Sequence, residues 1–114
     1  MEGREVIKTA KKKNSYNRYG KKINGLECLP LSFGNREKEI YLIHFKPKSR
    51  SSLNINNGSE EFFVLDGELI DDDGVLFEKG DFIRFEPGTK HSSFSEKGCT
   101  LLVILSDGKN ELID

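Results

Sequence analysis

Few residues in this chain could do chemistry. Among its 114 residues are two histidines, His44 and His91, and two cysteines, Cys28 and Cys99. An imidazole can take or give a proton near neutral pH, or ligate a metal. A thiol becomes a nucleophile only where its surroundings favour the thiolate. Neither cysteine has a histidine close by in sequence, so both read as small buried apolar residues. Two cysteines are too few for a disulfide scaffold and fit a reducing, cytoplasmic setting. His44 lies inside the apolar run 39–45, where a partnered core or sheet-face histidine is expected. Three consecutive acids, Asp71 to Asp73, precede Gly74. A calcium loop alternates its ligands and closes on a distant glutamate; consecutive side chains on an extended chain diverge, so an acidic β-turn is expected instead. No phosphate-cradling glycine pattern surrounds Gly58.

The elements that must position these groups are strands. The chain has a single alanine and a single methionine, whereas Val, Ile, Phe, Tyr and Thr together number 27. Such residues suit a pleated, half-buried surface and leave helices little apolar material. From residue 39 onward, short apolar runs are cut by turn signals at Pro47, Asp66-Gly67, Asp71 to Gly74, Lys79-Gly80, Pro87-Gly88 and Asp107-Gly108. Asp66-Gly67 carries a strong hairpin signal. Arg84 interrupts the run Phe82-Ile83-Phe85 and could face either side of its strand. Six or so closely spaced strands indicate a sandwich or barrel in one domain.

Charge excludes some functions. Lys and Arg total 18 against 19 acids, for a net charge of −1, which argues against a nucleic-acid binder. Residues 1–22 hold eight basic residues and two acids; a solvated edge strand or a loosely ordered terminus is expected there, the alternative being a basic arm for nucleic acid or an acidic partner. No apolar run approaches the ~20 residues of a membrane span, and no signal-peptide stretch opens the chain. The expected division is a basic segment over 1–38 and a barrel over 39–114.

One stretch resembles a known family. Asn54-Ile55-Asn56-Asn57-Gly58-Ser59-Glu60, running on to Gly67, is similar to the first motif of the cupin superfamily. There two histidines stand two apart, followed by a glutamate and, six residues later, a glycine. Asn54 and Asn56 fall on the histidine positions, Glu60 on the glutamate and Gly67 on the glycine. The second motif is matched by Gly80, Gly88 and His91, with Glu86 in place of its first proline and Ser95 in place of its asparagine. The residues around these positions resemble the ChrR-like cupin domains, over about residues 39–105. That type is best known from zinc-binding anti-sigma factors. Their separate helical zinc-binding domain has no counterpart in the sequence, so sigma-factor regulation is not carried over.

The resemblance implies an all-β double-stranded β-helix, the cupin jelly-roll barrel, with a cavity between two sheets. In the family three imidazoles and one carboxylate hold a transition metal there. Residues two apart on a strand share a face, so positions 54 and 56 are expected to look inward, with Glu60 beside them and His91 on the facing strand. Carboxamides lack the nitrogen donor that first-row metals prefer. The expectation is therefore no resident cofactor, with Glu60 and His91 as the remaining ligands if a divalent metal binds. The first functional reading is a small-ligand binding or sensing module, with Asn54, Asn56, Phe62 and Arg84 as ligand contacts. The second is an enzyme, either a metal-dependent oxygenase or isomerase, or a metal-free isomerase using Glu60 and His91 as an acid–base pair. By analogy with small cupins the partner is a second copy, in a homodimer; the small molecule itself is not named by the sequence.

Overall fold

In a computed structural model, residues 2–11, 23–35, 38–107 and 110–112 are described. After a 3₁₀ turn at Thr9–Lys11 come eleven strands among the described residues: β1 (Leu26–Asn35), β2 (Lys38–Phe45), β3 (Ser49–Arg50), β4 (Asn54–Asn56), β5 (Ser59–Asp71), β6 (Leu76–Glu78), β7 (Phe82–Phe85), β8 (Lys90–His91), β9 (Ser93–Ser95), β10 (Cys99–Ser106) and β11 (Asn110–Leu112). The fold is all-β, as expected. The larger sheet runs β1-β2-β10-β5-β9-β3, with β6 and β7 also on β5, and the smaller runs β11-β4-β8. Every pairing is antiparallel. No helix among the described residues is long and apolar enough to cross a membrane.

The core follows from alternation. Along β10, residues 99, 101, 103 and 105 are buried and the intervening ones half-buried; along β2, Tyr41, Ile43 and Phe45 are buried. Each such side chain removed from water contributes about 1.5–3 kcal/mol. The segment 1–38 supplies the edge strand β1, paired with β2 from Leu26↔Phe45 to Asn35↔Lys38. Of the basic stretch 1–22, residue 1 and residues 12–22 lie outside the described residues.

One expectation is corrected. Asp66-Gly67 is not a hairpin turn, because β5 runs through it as one strand of 13 residues. Gly67 adopts φ 77°, the left-handed value that makes this dipeptide a turn signal. Here it forms a β-bulge: β10 pairs Thr100↔Asp66 and Leu101↔Val64, leaving Leu65 unopposed. The reversal comes at Asp71 to Val75, where Gly74 N–H donates to Asp71 C=O at 2.9 Å and Asp71 N–H to Val75 C=O at 3.0 Å. The expected acidic turn is therefore present. From it β6 and then β7 return along β5.

Candidate functional site

The bulge decides what faces the interior. Before it, the buried positions of β5 are Glu60, Phe62 and Val64; after it, they are Leu69 and Asp71. Glu60 and Asp71 stand an odd number of positions apart, so a regular strand would put them on opposite faces. The extra residue restores them to one face. Both carboxylates are thereby buried, at 4% and 6% exposure.

A histidine sits between them. The Pro87-Gly88 corner is tied by Thr89 N–H and Oγ1 donating to Glu86 C=O, at 3.2 and 2.7 Å, and it delivers His91 on β8. His91 lies opposite Asn54 in register on the neighbouring strand β4, not on a facing strand. Its Nε2 lies 2.8 Å from Glu60 Oε1 and its Nδ1 3.3 Å from Asp71 Oδ1. Ser93, the register partner of Asp71, donates Oγ–H to the same Oδ1 at 2.6 Å. Ser51 Oγ accepts from Ser93 N–H at 2.9 Å. Phe85 stacks on the imidazole at 4.0 Å, nearly parallel, fixing its plane.

Burial by itself would lower the His91 pKa. Hydrogen bonds to Asp71 and Glu60, and the charges of both, outweigh it and raise the pKa from 6.5 to about 9. With both ring nitrogens against carboxylate oxygens, the ring donates at both ends, as an imidazolium.

A cavity of about 60 Å³ opens beside this array. At about 10–15 Å³ per water, it has room for roughly four to six waters or a molecule of that size. Its walls are apolar, drawn from β1, β2, β5 and β10, while Glu60, His91 and the hydroxyl residues 51, 52 and 93 form its polar part. Of the expected site residues, Glu60, Phe62 and His91 line it. Phe62 packs edge-on against Phe77 with centroids 5.7 Å apart.

Arg84 does not reach the cavity. Of its two faces the strand gives it the outer one, where Nη2 meets Glu61 Oε2 at 2.9 Å and the guanidinium lies over Phe82. Ile83 and Phe85 take the inner face. Asn56 is fully buried, and neither of its amide atoms has a hydrogen-bond partner among the described residues; it is not among the cavity's described lining residues. The side chain of Asn54 lies outside the described residues. His44 is an exposed sheet-face residue with Nδ1 3.1 Å from Thr100 Oγ1. Cys28 and Cys99 are buried, and burial pushes the Cys99 thiol up to about 11, far from a reactive thiolate.

Sequence reasoning missed Asp71, Ser93, Ser51 and Phe85. For Asp71 a signal existed: Leu69 and Asp71 share a parity that only a bulge at Gly67 could join to that of Glu60. Among the described residues no group of three His, Cys, Asp or Glu is arranged to hold a metal ion.

The family model described as ChrR Cupin-like domain matches residues 4–107. No curated protein matches the chain. Solved structures do. An RmlC-like cupin from Shewanella frigidimarina NCIMB 400 is 20% identical, with a TM-score of 0.75, over 91% of this chain and 90% of its own. The polyketide cyclase RemF from Streptomyces resistomycificus is 16% identical, with a TM-score of 0.78, over 97% and 85%. An acetylacetone dioxygenase from Acinetobacter johnsonii is 16% identical, with a TM-score of 0.71, over 79% of this chain and 64% of its own. Identities this low carry the fold alone.

Proposed function

The chain belongs to the ChrR cupin-like family, and on that premise we propose that its cavity binds a small, largely apolar organic molecule without a resident transition metal. One observation carries this reading: the cavity's imidazole has both nitrogens engaged by carboxylates, at 2.8 and 3.3 Å. Such a ring must first give up a proton that two carboxylates hold before either nitrogen can offer a metal a lone pair, and it has no spare N–H to polarise a substrate carbonyl.

The fold family implies a metal, and the donor set here does not fit one. His91 is its one described imidazole, and position 56 offers an amide where the family has a histidine. The dioxygenase and cyclase neighbours therefore lend their fold and not their chemistry. The apolar walls and the polar patch beside them support ligand binding. The same pairing argues against an acid–base isomerase, since an imidazolium with a pKa near 9 is a poor base at neutral pH.

Elemental analysis of the purified protein tests this, beside an Asn54→His/Asn56→His double variant. The expected result is far less than one transition metal per chain in the unaltered protein and a gain in the variant. Stoichiometric, dialysis-resistant metal in the unaltered protein would overturn the reading.

A further inference from the structure

On its outer face the larger sheet is apolar where it should meet water. We infer that this face is where two copies of the chain associate, packing sheet against sheet about a two-fold axis. The inference does not depend on what the cavity binds.

On β2, β10, β5 and β7, the side chains that alternate with the inward-facing ones point away from the cavity. The strand register lines them up. One row runs Leu29, Leu42, Leu102, Phe63 and Phe82 across five strands. A second runs Ile40, Ile104, Glu61 and Arg84 across four. Directly opposed side chains have Cβ atoms about 4.5–5.5 Å apart, so the apolar members form one continuous patch. Phe63 and Phe82 are 37% and 53% exposed, and Ile40, Leu42, Leu102 and Ile104 are half-buried. Leu65, left unopposed by the bulge, is 39% exposed. Contiguous apolar surface rimmed by polar residues marks an interaction site.

Charge and size favour a second copy as the occupant. A third row, Glu27, His44, Thr100 and Asp66, borders the patch on one side. The Glu61–Arg84 ion pair borders it on the other, at 2.9 Å. A two-fold interface is self-complementary, so it needs both signs of charge within one patch. Arg84, whose side chain stays 61% exposed beside Glu61, can then meet an acid of the second copy. Five strands about 4.8 Å apart and three rows about 7 Å apart cover roughly 24 by 20 Å, or about 500 Å² per copy. Two such faces bury about 1,000 Å², the least that a specific interface should reach. Sheets stack face to face in folded domains with interdigitated side chains, and the same packing between copies covers both phenylalanines. An interface at that lower bound should associate in the micromolar range.

Sedimentation equilibrium of the full chain at pH 7, with reductant present, from about 5 to 500 μM, tests this. The mass should rise from that of the monomer toward twice it. Phe82→Asp should weaken association at least about tenfold. Leu76→Asp, at a site of similar exposure on β6 and outside these rows, should leave it unchanged. If Phe82→Asp does not fold, methyl NMR signals of the unaltered protein decide. Concentration-dependent shifts at Leu42, Leu102 and Ile104 would support the inference, and shifts at Ile70 and Leu76 instead would overturn it. A monomer at every concentration would overturn it as well, leaving the face to a different protein or a lipid surface. So would a dimer unmoved by Phe82→Asp, which places the interface elsewhere, or a series of masses beyond the dimer, which an open-ended contact gives.

Discussion

At the scale of single residues, His91 holds the site together by being shared. Glu60 and Asp71 are two buried acids that would repel each other, and the imidazole between them offsets that repulsion while giving each carboxylate a donor. Removing one acid should therefore be visible on the ring. Glu60→Gln keeps the shape but removes a charge and weakens the acceptor at 2.8 Å, so the His91 titration should fall from about 9 by roughly one unit or more. Imidazole carbon and nitrogen shifts followed by NMR across pH 5–10 measure this. An unmoved midpoint would mean that the pair does not exist in solution. Asn56 is the contrasting residue. Its buried amide lacks partners among the described residues, an arrangement that ordinarily costs about 1–3 kcal/mol.

At the scale of elements, β5 is the part that had to be right. A bulge near its middle brings Glu60 and Asp71 to one face, and Gly67 makes that bulge feasible. A Cβ there would sit 2.2 Å from Gly98 O and 2.8 Å from Cys99 Cα, on a backbone at φ +77°. Gly74 has a similar φ, +88°, but a Cβ added there would meet nothing within 4 Å. Gly74→Ala should then lower stability by only the left-handed penalty of about 1–2 kcal/mol. Gly67→Ala should lower it by clearly more, as a shift in urea midpoint, and equal losses would mean that β10 does not press on the bulge. The same residue explains what could be read in advance. Alternation and turn residues gave the all-β class, and motif spacing gave Glu60 and His91. But Asp66-Gly67 has one local preference, positive φ, that serves a hairpin and a bulge equally well; the choice is made by pairing with residues 99–106, far along the chain. Without the bulge, Asp71 reads as one more turn acid. Arg84 had the same ambiguity of face, and its cross-strand neighbour Glu61 settled it.

For the whole molecule, the buried ion array ties folding to pH. His91 titrates near 6.5 when the chain is unfolded and at about 9 when folded. A raised pKa means that the folded state holds its proton more tightly, so this contribution is fully present below pH 6.5 and is lost as pH rises toward 9. At about 1.4 kcal/mol per unit the span amounts to about 3 kcal/mol, a large share of the 5–15 kcal/mol typical of a domain. Net charge is only −1, so long-range repulsion adds little slope. Cys99 does intrude at the upper end. Its folded pKa of about 11 exceeds the ordinary 9, so from about pH 8 upward the unfolded thiol ionises first and stability falls further. The window from 6.5 to about 8 therefore isolates the histidine. Urea unfolding at half-unit steps through that window should give a steadily falling free energy in the unaltered protein. His91→Gln, less stable at the outset, should give a nearly flat line, because the group that binds the extra proton is gone. A flat line in the unaltered protein would mean that Glu60 and Asp71 do not hold His91 as an imidazolium in the folded chain.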